Sequence, residues 1–300
     1  MIMEELAERY HQLYLTPAEG VSVSQLYTEI VNQGKKPEAL LQLMDYGLRG
    51  FLGSNHDKFF MEDTPAGVVE IVYIYERADF ERFVQIMMYR GELVPVPKSM
   101  GAVFLSGIIN WRKIDLHKEE YFHQGGLLWG WKEEFKRFTS DKNNYKDNII
   151  VVSHGGYSGI NALEVNLSES EWNDKSLTIR VYHECAHFIS RKLYPKKVNA
   201  LWDELLADCI GLLFAFHRYD ASLAKQFLGV SEDGYLEGRR IKNYFAESAS
   251  LDEEAMRADI LINRIAELVL QYQEDHLTYY DILCKLVERG EEFVEGNIGE

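Results

Sequence analysis

Residues 183–187 read HECAH and match the pattern HExxH, in which two histidines and a glutamate surround one metal ion. Histidines four residues apart stand one above the other on the same face of an α-helix. Imidazole nitrogen is a common ligand of Zn²⁺. Glu184 lies about 100° around the helix from His183, so its carboxylate can lean over the ion without binding it. The pentapeptide therefore predicts a metal site with an acidic group beside it.

The residues around this pentapeptide predict a helix from about Lys175 to Leu193. Apolar residues recur there at three- and four-residue steps and make one stripe. They are Ile179, Tyr182, Ala186, Ile189 and Leu193. We expect Asn173 or Asp174 to cap the start, and Pro195 to end the helix soon after Tyr194. The two histidines border the apolar stripe and so face the interior, where the alternative is a coincidental pair of core histidines.

A second helix is predicted from Leu201 to His217, and it carries two acidic residues on one line. Glu204 follows His187 by 17 residues, and Asp208 lies one turn further along. A catalytic zinc site has three protein ligands and one open position, so either carboxylate could complete the shell. The alternative for both is a solvated helical face. Gly211 lies on the same line and is unfavourable in a helix, so we expect a close helix contact there.

With its ExxxD sequence after HExxH, the chain resembles the gluzincin class of zinc metallopeptidases. The resemblance covers about residues 176–217, and the gap before Glu204 is slightly shorter than is usual in that class. It implies that Zn²⁺ is bound by His183, His187 and Glu204. It also implies that Asp208 orients a ligand imidazole through a hydrogen bond. Asp208 in place of Glu204 is the alternative third ligand.

The resemblance implies hydrolysis of a peptide bond in a peptide or protein substrate, with Glu184 as the general base. A group that stabilises the oxyanion is expected downstream of the third ligand. The candidates are His217, Tyr235, Arg240, Tyr244 and His276. The alternative function is that of a zinc-stabilised or metal-free interaction protein on the same fold. Glu184 argues against it, because a structural site needs no base beside the metal.

The order of elements predicts a helix-rich α+β fold that is zincin-like, with a mixed sheet before the HExxH helix and a helical C-terminal half. Strands are predicted at residues 68–75, 102–105, 108–111, 148–153 and 161–167. Helices are predicted over much of 1–50 and at 78–89, 121–138, 253–273 and 278–293. Residues 153–159 form a glycine-rich turn without the sequence of a phosphate-binding loop. In the resembled enzymes an edge strand binds extended substrate, and residues 159–167 take that place in the order.

We divide the chain into an N-terminal α+β part, residues 1–170, and a helical part, 171–300, that carries the zinc site. One continuous domain is the alternative.

The composition is that of a large acidic protein with ample material for a core. The chain has 300 residues, 46% of them hydrophobic, and a net charge of −16. This charge argues against nucleic acid and an anionic membrane surface as partners. The three cysteines predict no disulfide framework, and Cys185 and Cys209 are expected to be small buried hydrophobes. We find no signal-peptide pattern and no bilayer-spanning run, so a cytoplasmic enzyme is expected, with its oligomeric state open.

Overall fold

The computed structural model describes residues 2–35, 47–195, 200–231, 234–237, 240–245 and 250–290. The strands are β1 (Lys58–Thr64), β2 (Gly67–Ile74), β3 (Ala102–Ile109), β4 (Lys146–Ser153), β5 (Val230–Ser231) and β6 (Gly234–Tyr235). The α-helices are α1 (Ile2–Arg9), α2 (Gln25–Tyr27), α3 (Arg77–Met87), α4 (Trp111–His123), α5 (Trp131–Thr139), α6 (Glu169–Leu193), α7 (Ala200–Phe216), α8 (Ala221–Leu228), α9 (Leu251–Glu274) and α10 (Tyr279–Glu288). The α+β class predicted from the sequence is confirmed. No helix in the described ranges is long and apolar enough to cross a bilayer.

The first four strands form one sheet in the order β1-β2-β4-β3. The central pair, β2 and β4, runs parallel, with Glu70 opposite Ile149. Both strands are rich in β-branched residues whose side chains are buried, which is why 68–75 and 148–153 were predictable as strands. A two-residue turn joins β1 to β2, so this pair runs antiparallel and the sheet is mixed, as predicted. All four strands precede the HExxH helix.

The predicted strand at residues 161–167 is wrong. The segment forms a short 3₁₀ helix, Ala162–Val165, which begins with a capping box between Asn161 and Glu164. The Asn161 side chain accepts a hydrogen bond from the Glu164 amide, and the Glu164 side chain accepts one from the Asn161 amide. These local bonds satisfy the backbone without a neighbouring strand. Residues 159–167 therefore provide no sheet edge for substrate, since the two edges of the described sheet are β1 and β3.

Two predictions between residues 102 and 138 also need correction. The two short strands are one strand, β3, which continues through Gly107 at φ +73°. The chain then turns directly into α4, whose start is capped by the Asn110 side chain, so residue 111 is helical. The single helix predicted at 121–138 is the end of α4 and the whole of α5. Gly125 at φ +89° separates them, because a left-handed residue ends a helix.

In the N-terminal region, described residues of the predicted helical stretch 1–50 form α1, α2 and short 3₁₀ and π turns, and residues 36–46 lie outside the described part. The C-terminal half is not purely helical, because β5 and β6 form a small antiparallel pair. The helix predicted at 278–293 is α10, which starts after a capping box at Thr278. Residues 291–300 lie outside the described part.

The chain separates into two compact units. The first comprises Met1–Phe60, Glu70–Pro97 and Val103–Ser153, and the second comprises Met61–Val69, Lys98–Ala102 and His154–Glu300. The first unit holds most of the sheet together with α1 to α5. The second unit holds α6 to α10 and the β5–β6 pair. Residues 154–170, which the predicted division at 170 assigns to the N-terminal part, cluster with this second unit.

The second unit is built on the close packing of α6 against α7. Helix α6 begins at Glu169, earlier than predicted, because Ser168 and Glu171 form its capping box in place of Asn173 or Asp174. It ends at Leu193, before Pro195, as expected. At Gly211 of α7, an added Cβ atom would lie 2.9 Å from the carbonyl oxygen of Ile179. The expected close helix contact is therefore present.

Candidate metal centre

Three side chains from α6 and α7 converge on one point. The Nε2 atoms of His183 and His187 are 3.1 Å apart. The carboxylate of Glu204 lies 3.4 Å from Nε2 of His183 and 3.5 Å from Nε2 of His187. In a tetrahedral zinc site with bonds of about 2.0–2.1 Å, ligand atoms lie about 3.3–3.4 Å apart. Among the described residues these three form a group that could hold a metal ion, and they are the three ligands predicted from the sequence.

The chemistry of the donor set fits a cation. Two imidazole nitrogens that face each other at 3.1 Å would repel through their lone pairs unless a proton or a cation lies between them. The carboxylate of Glu204 adds negative charge at the same point. Both imidazoles are buried, at 6% exposure for His183 and 4% for His187, so water screens this arrangement little.

The other ring nitrogen of each histidine contacts a carboxylate. Nδ1 of His183 lies 2.9 Å from Oδ1 of Asp208, and Nδ1 of His187 lies 2.8 Å from Oδ2 of Asp203. A carboxylate can only accept, so each Nδ1 carries a hydrogen, and in the neutral imidazole each Nε2 directs its lone pair at the common point. Asp208 has the supporting position that the resemblance implied. Asp203 was not predicted, although it directly precedes Glu204 in the sequence.

Asp208 is held away from the Nε2 atoms by two further donors. Nη2 of Arg240 donates to its Oδ2 atom, and the hydroxyl of Tyr157 donates to its Oδ1 atom at 2.7 Å. Burial raises the pKa of Asp208, but the charge of Arg240 and the bond from His183 bring it below its ordinary value overall. Asp208 is therefore a buried carboxylate on the Nδ1 side of His183, whereas Glu204 lies on the Nε2 side.

Tyr157 is the second contact that sequence reasoning missed. Its hydroxyl lies 3.0 Å from Nδ1 of His183 and accepts a hydrogen bond from Nη1 of Arg240 at 2.9 Å. Burial raises its pKa well above the ordinary value, so the hydroxyl keeps its proton. Tyr157 belongs to the glycine-rich turn 153–159 and lies 26 residues before His183. Only the glycine-rich composition of that turn marks it in the sequence.

Two of the five oxyanion candidates lie at the site. Arg240 and Tyr244 are the first and last residues of one 3₁₀ helix, Arg240–Tyr244. The hydroxyl of Tyr244 donates to Oε2 of Glu204 at 3.0 Å. Burial raises the pKa of Tyr244, so this hydroxyl is protonated. The remaining candidates lie elsewhere. His217 follows α7 and contacts Tyr279, Tyr235 is in β6, and His276 lies in the turn between α9 and α10.

The charges around the histidines add up to a negative site. Three carboxylates (Asp203, Glu204 and Asp208) and one guanidinium (Arg240) leave a charge of −2 when the imidazoles are neutral. Burial lowers the pKa of both histidines, but their carboxylate partners raise it above the ordinary value overall. Burial raises the pKa of Glu204, and the two histidines bring it far below its ordinary value. A divalent cation would offset the charge of these four side chains, to which Glu184 adds one further carboxylate.

Glu184 follows His183 on α6 and is buried, at 8% exposure. No hydrogen bond or ion pair of its carboxylate is found within the described part of the chain. The carboxylate of Glu184 can therefore accept a hydrogen bond from a group other than these residues.

A family model described as "Family of unknown function (DUF7005)" matches residues 2–283 of the chain. Neither the curated proteins nor the solved structures give a significant match.

Proposed function

The chain belongs to the DUF7005 family, and we propose that it is a zinc-dependent hydrolase that cleaves peptide bonds. One observation carries the proposal. Nε2 of His183, Nε2 of His187 and the carboxylate of Glu204 lie within 3.1–3.5 Å of one another. Two histidines and one glutamate are the protein ligands of catalytic zinc in peptidases, where water takes the fourth position. The mixed sheet ahead of α6 and the packed α6–α7 pair are in keeping with a zincin-like fold.

Each residue of the site has a role in this proposal. His183, His187 and Glu204 would hold the ion, while Asp208 and Asp203 fix the two imidazoles through Nδ1. When bound, Zn²⁺ would supply Lewis-acid polarisation of the scissile carbonyl and make water more acidic. Glu184 takes a proton from the attacking water and later donates it to the leaving amine. Its carboxylate has free acceptor capacity for this task.

Tyr244 is the residue we assign to the oxyanion. Its protonated hydroxyl lies 3.0 Å from Oε2 of Glu204, one of the three residues that would hold the ion. In this proposal the hydroxyl turns from Glu204 to the carbonyl oxygen of the substrate and donates to the negative charge that develops there. Arg240 is less suited, because two of its nitrogens already donate to Asp208 and Tyr157.

A zinc-stabilised interaction protein is the second candidate function. A structural zinc site usually has four protein ligands. The group found within the described ranges offers three, with Glu184 beside them. Both features favour catalysis over a structural role.

The experiment compares the zinc-loaded wild type with Glu184→Gln in a peptide-library cleavage assay. The amide has nearly the same shape but cannot accept the proton, so we expect equal zinc content and a fall in turnover of at least about 10²-fold. Glu169→Gln, on an exposed position of the same helix, is the matched control and should cleave as the wild type does. Equal turnover by Glu184→Gln would remove Glu184 as the base. A zinc-loaded wild type without any cleavage would favour the structural alternative.

A further inference from the structure

The glycine-rich turn 153–159 has no role in the proposed reaction, yet the helix that carries the histidines holds it in place. Three buried side chains lie on α6 at four-residue steps ahead of the HExxH sequence. They are Trp172, Ser176 and Arg180, at 0%, 0% and 4% exposure. Residues four apart share one face of a helix, so these three form a row that leads toward the HExxH sequence.

Each member of this row bonds to the backbone of the turn or of Ile160, the residue directly after it. Trp172 donates through Nε1 to the carbonyl of Ile160 at 2.8 Å. The hydroxyl of Ser176 accepts from the Tyr157 amide at 2.9 Å. Arg180 donates to the carbonyls of residues 155 and 156 at 2.6 and 2.7 Å. Four hydrogen bonds thus fix a stretch of six residues against one helix.

The backbone of the turn packs closely against its neighbours at Gly156. A Cβ atom on Gly156 would lie 2.3 Å from the carbonyl oxygen of Ile160 and 2.9 Å from Nε1 of Trp172. Ser158, two residues after Gly156, has φ +53°, a left-handed conformation that is uncommon for a non-glycine residue. A residue keeps this conformation only where the surrounding structure fixes it. The position of Tyr157, between these two residues, is therefore closely defined.

Held in this way, the side chain of Tyr157 completes a triangle of polar atoms beside the metal ligands. The hydroxyl of Tyr157 is 2.7 Å from Oδ1 of Asp208 and 3.0 Å from Nδ1 of His183, which are themselves 2.9 Å apart. The hydroxyl has one hydrogen, which it gives to Asp208, and it accepts the hydrogen of Nη1 of Arg240. Asp208 then accepts from three donors and stays in one orientation. The Nδ1 hydrogen of His183 points at that carboxylate, which keeps the Nε2 lone pair on the proposed ion.

We infer that Tyr157 is a positioning residue for the metal ligand His183, and that the row on α6 exists to place its hydroxyl. The inference rests on the proposed metal site. Without the hydroxyl, Nη1 of Arg240 loses its acceptor and Asp208 loses a donor, so both side chains can turn away from His183. The imidazole then has less support in the ligand orientation.

The test is Tyr157→Phe, which removes one oxygen atom and keeps the ring. We expect its Kd for zinc, measured by competition with a chromophoric chelator, to rise by about 10- to 100-fold, as for other partners of ligand histidines. The visible absorption bands of the cobalt-loaded variant should also shift, since they report ligand geometry. Tyr10→Phe is the matched control. It removes a hydroxyl that donates to Asp147 at 2.8 Å in the first unit, and its Kd should stay within about twofold of the wild type.

The outcomes separate this inference from the proposed function. A wild type that binds zinc, with a Tyr157→Phe variant of equal Kd and equal cobalt spectrum, overturns the inference alone. An equal rise in Kd for Tyr10→Phe also overturns it, because the effect would then be one of general stability. A wild type that binds no zinc overturns both.

If Tyr157→Phe does not fold, Ser176→Ala tests the inference instead, since it keeps the Tyr157 hydroxyl but removes one bond that holds the turn. A smaller rise in Kd is expected there, and no rise overturns the inference.

Discussion

At the scale of single residues, the two carboxylates of the ExxxD sequence do different things although they lie one turn apart. Glu204 contacts both Nε2 atoms, whereas Asp208 contacts Nδ1 of His183 and Arg240. The geometry therefore favours Glu204 as the third ligand over the alternative in which Asp208 binds the ion. The difference arises because Arg240 and Tyr157 hold Asp208 on the far side of the imidazole.

This division of roles predicts how the two residues respond to substitution. Glu204→Gln should abolish high-affinity zinc binding, because it weakens a direct bond to the ion and removes its charge. Asp208→Asn should raise the Kd for zinc by about 10- to 100-fold without eliminating binding. Asparagine is preferred to alanine here, since alanine would leave the buried Arg240 without its partner. Zinc titration against a competing chelator measures both.

Asp174→Asn is the control for this pair, because Asp174 lies on an exposed position of α6 and should leave the Kd unchanged. A larger loss of affinity in Asp208→Asn than in Glu204→Gln would contradict the assignment and exchange the two roles.

The sequence predicts the convergence of His183, His187 and Glu204 because each motif lies on one helix with a known period. The remaining contacts were not predictable in that way. Asp203 is next to Glu204, but the expected ExxxD spacing draws attention to Asp208 alone. Tyr157 reaches the site from a loop whose path depends on Ser176 and Arg180. Contacts of that kind depend on tertiary structure and leave no periodic signal.

At the scale of elements, the distance between α6 and α7 decides whether the ligands can meet. Gly211 permits that distance, because a side chain there would press on Ile179. Two opposing effects bear on Gly211→Ala. Alanine is the better helix former by about 1 kcal/mol. Its Cβ atom, however, would lie 2.9 Å from both the Cγ2 atom and the carbonyl oxygen of Ile179.

We expect the steric effect to win in Gly211→Ala, because overpacking in a dense core typically costs about 1–3 kcal/mol. The free energy of unfolding in urea should therefore fall, and the Kd for zinc should rise as the helices move apart. The sign of the change tests the contact. A variant that is more stable than the wild type would show that α7 has room at this position and that its approach to α6 is not limited there.

The starts of two helical elements show why some element predictions succeed and others fail. Ser168 and Glu171 begin α6, while Asn161 and Glu164 begin a short 3₁₀ turn, and both pairs have the capping-box spacing. The second pair was taken for part of a strand because its neighbours alternate between apolar and polar residues. The local bonds of the cap decided the conformation, since no adjacent strand offered an alternative. Alternation over seven residues is thus a weaker signal than a cap at its start.

At the scale of the whole molecule, the strong negative charge agrees with a cation site more than with an anionic partner. The net charge of −16 raises the local concentration of divalent cations around the protein. The family model covers residues 2–283 and so includes both compact units, although all residues of the site belong to the second. Composition and element order predicted the α+β class. The capped turn at 161–165 and the β5–β6 pair needed the structure, since short segments carry little periodic signal.

The central claim is that His183, His187 and Glu204 bind one zinc ion. Anomalous diffraction at the zinc edge, from crystals of the zinc-loaded full chain, tests it most directly. We predict one peak at about 2.0–2.2 Å from Nε2 of both histidines and from a carboxylate oxygen of Glu204, with an open fourth position. No peak at this point would contradict the claim. So would a peak bound by Asp208 with Glu204 turned away.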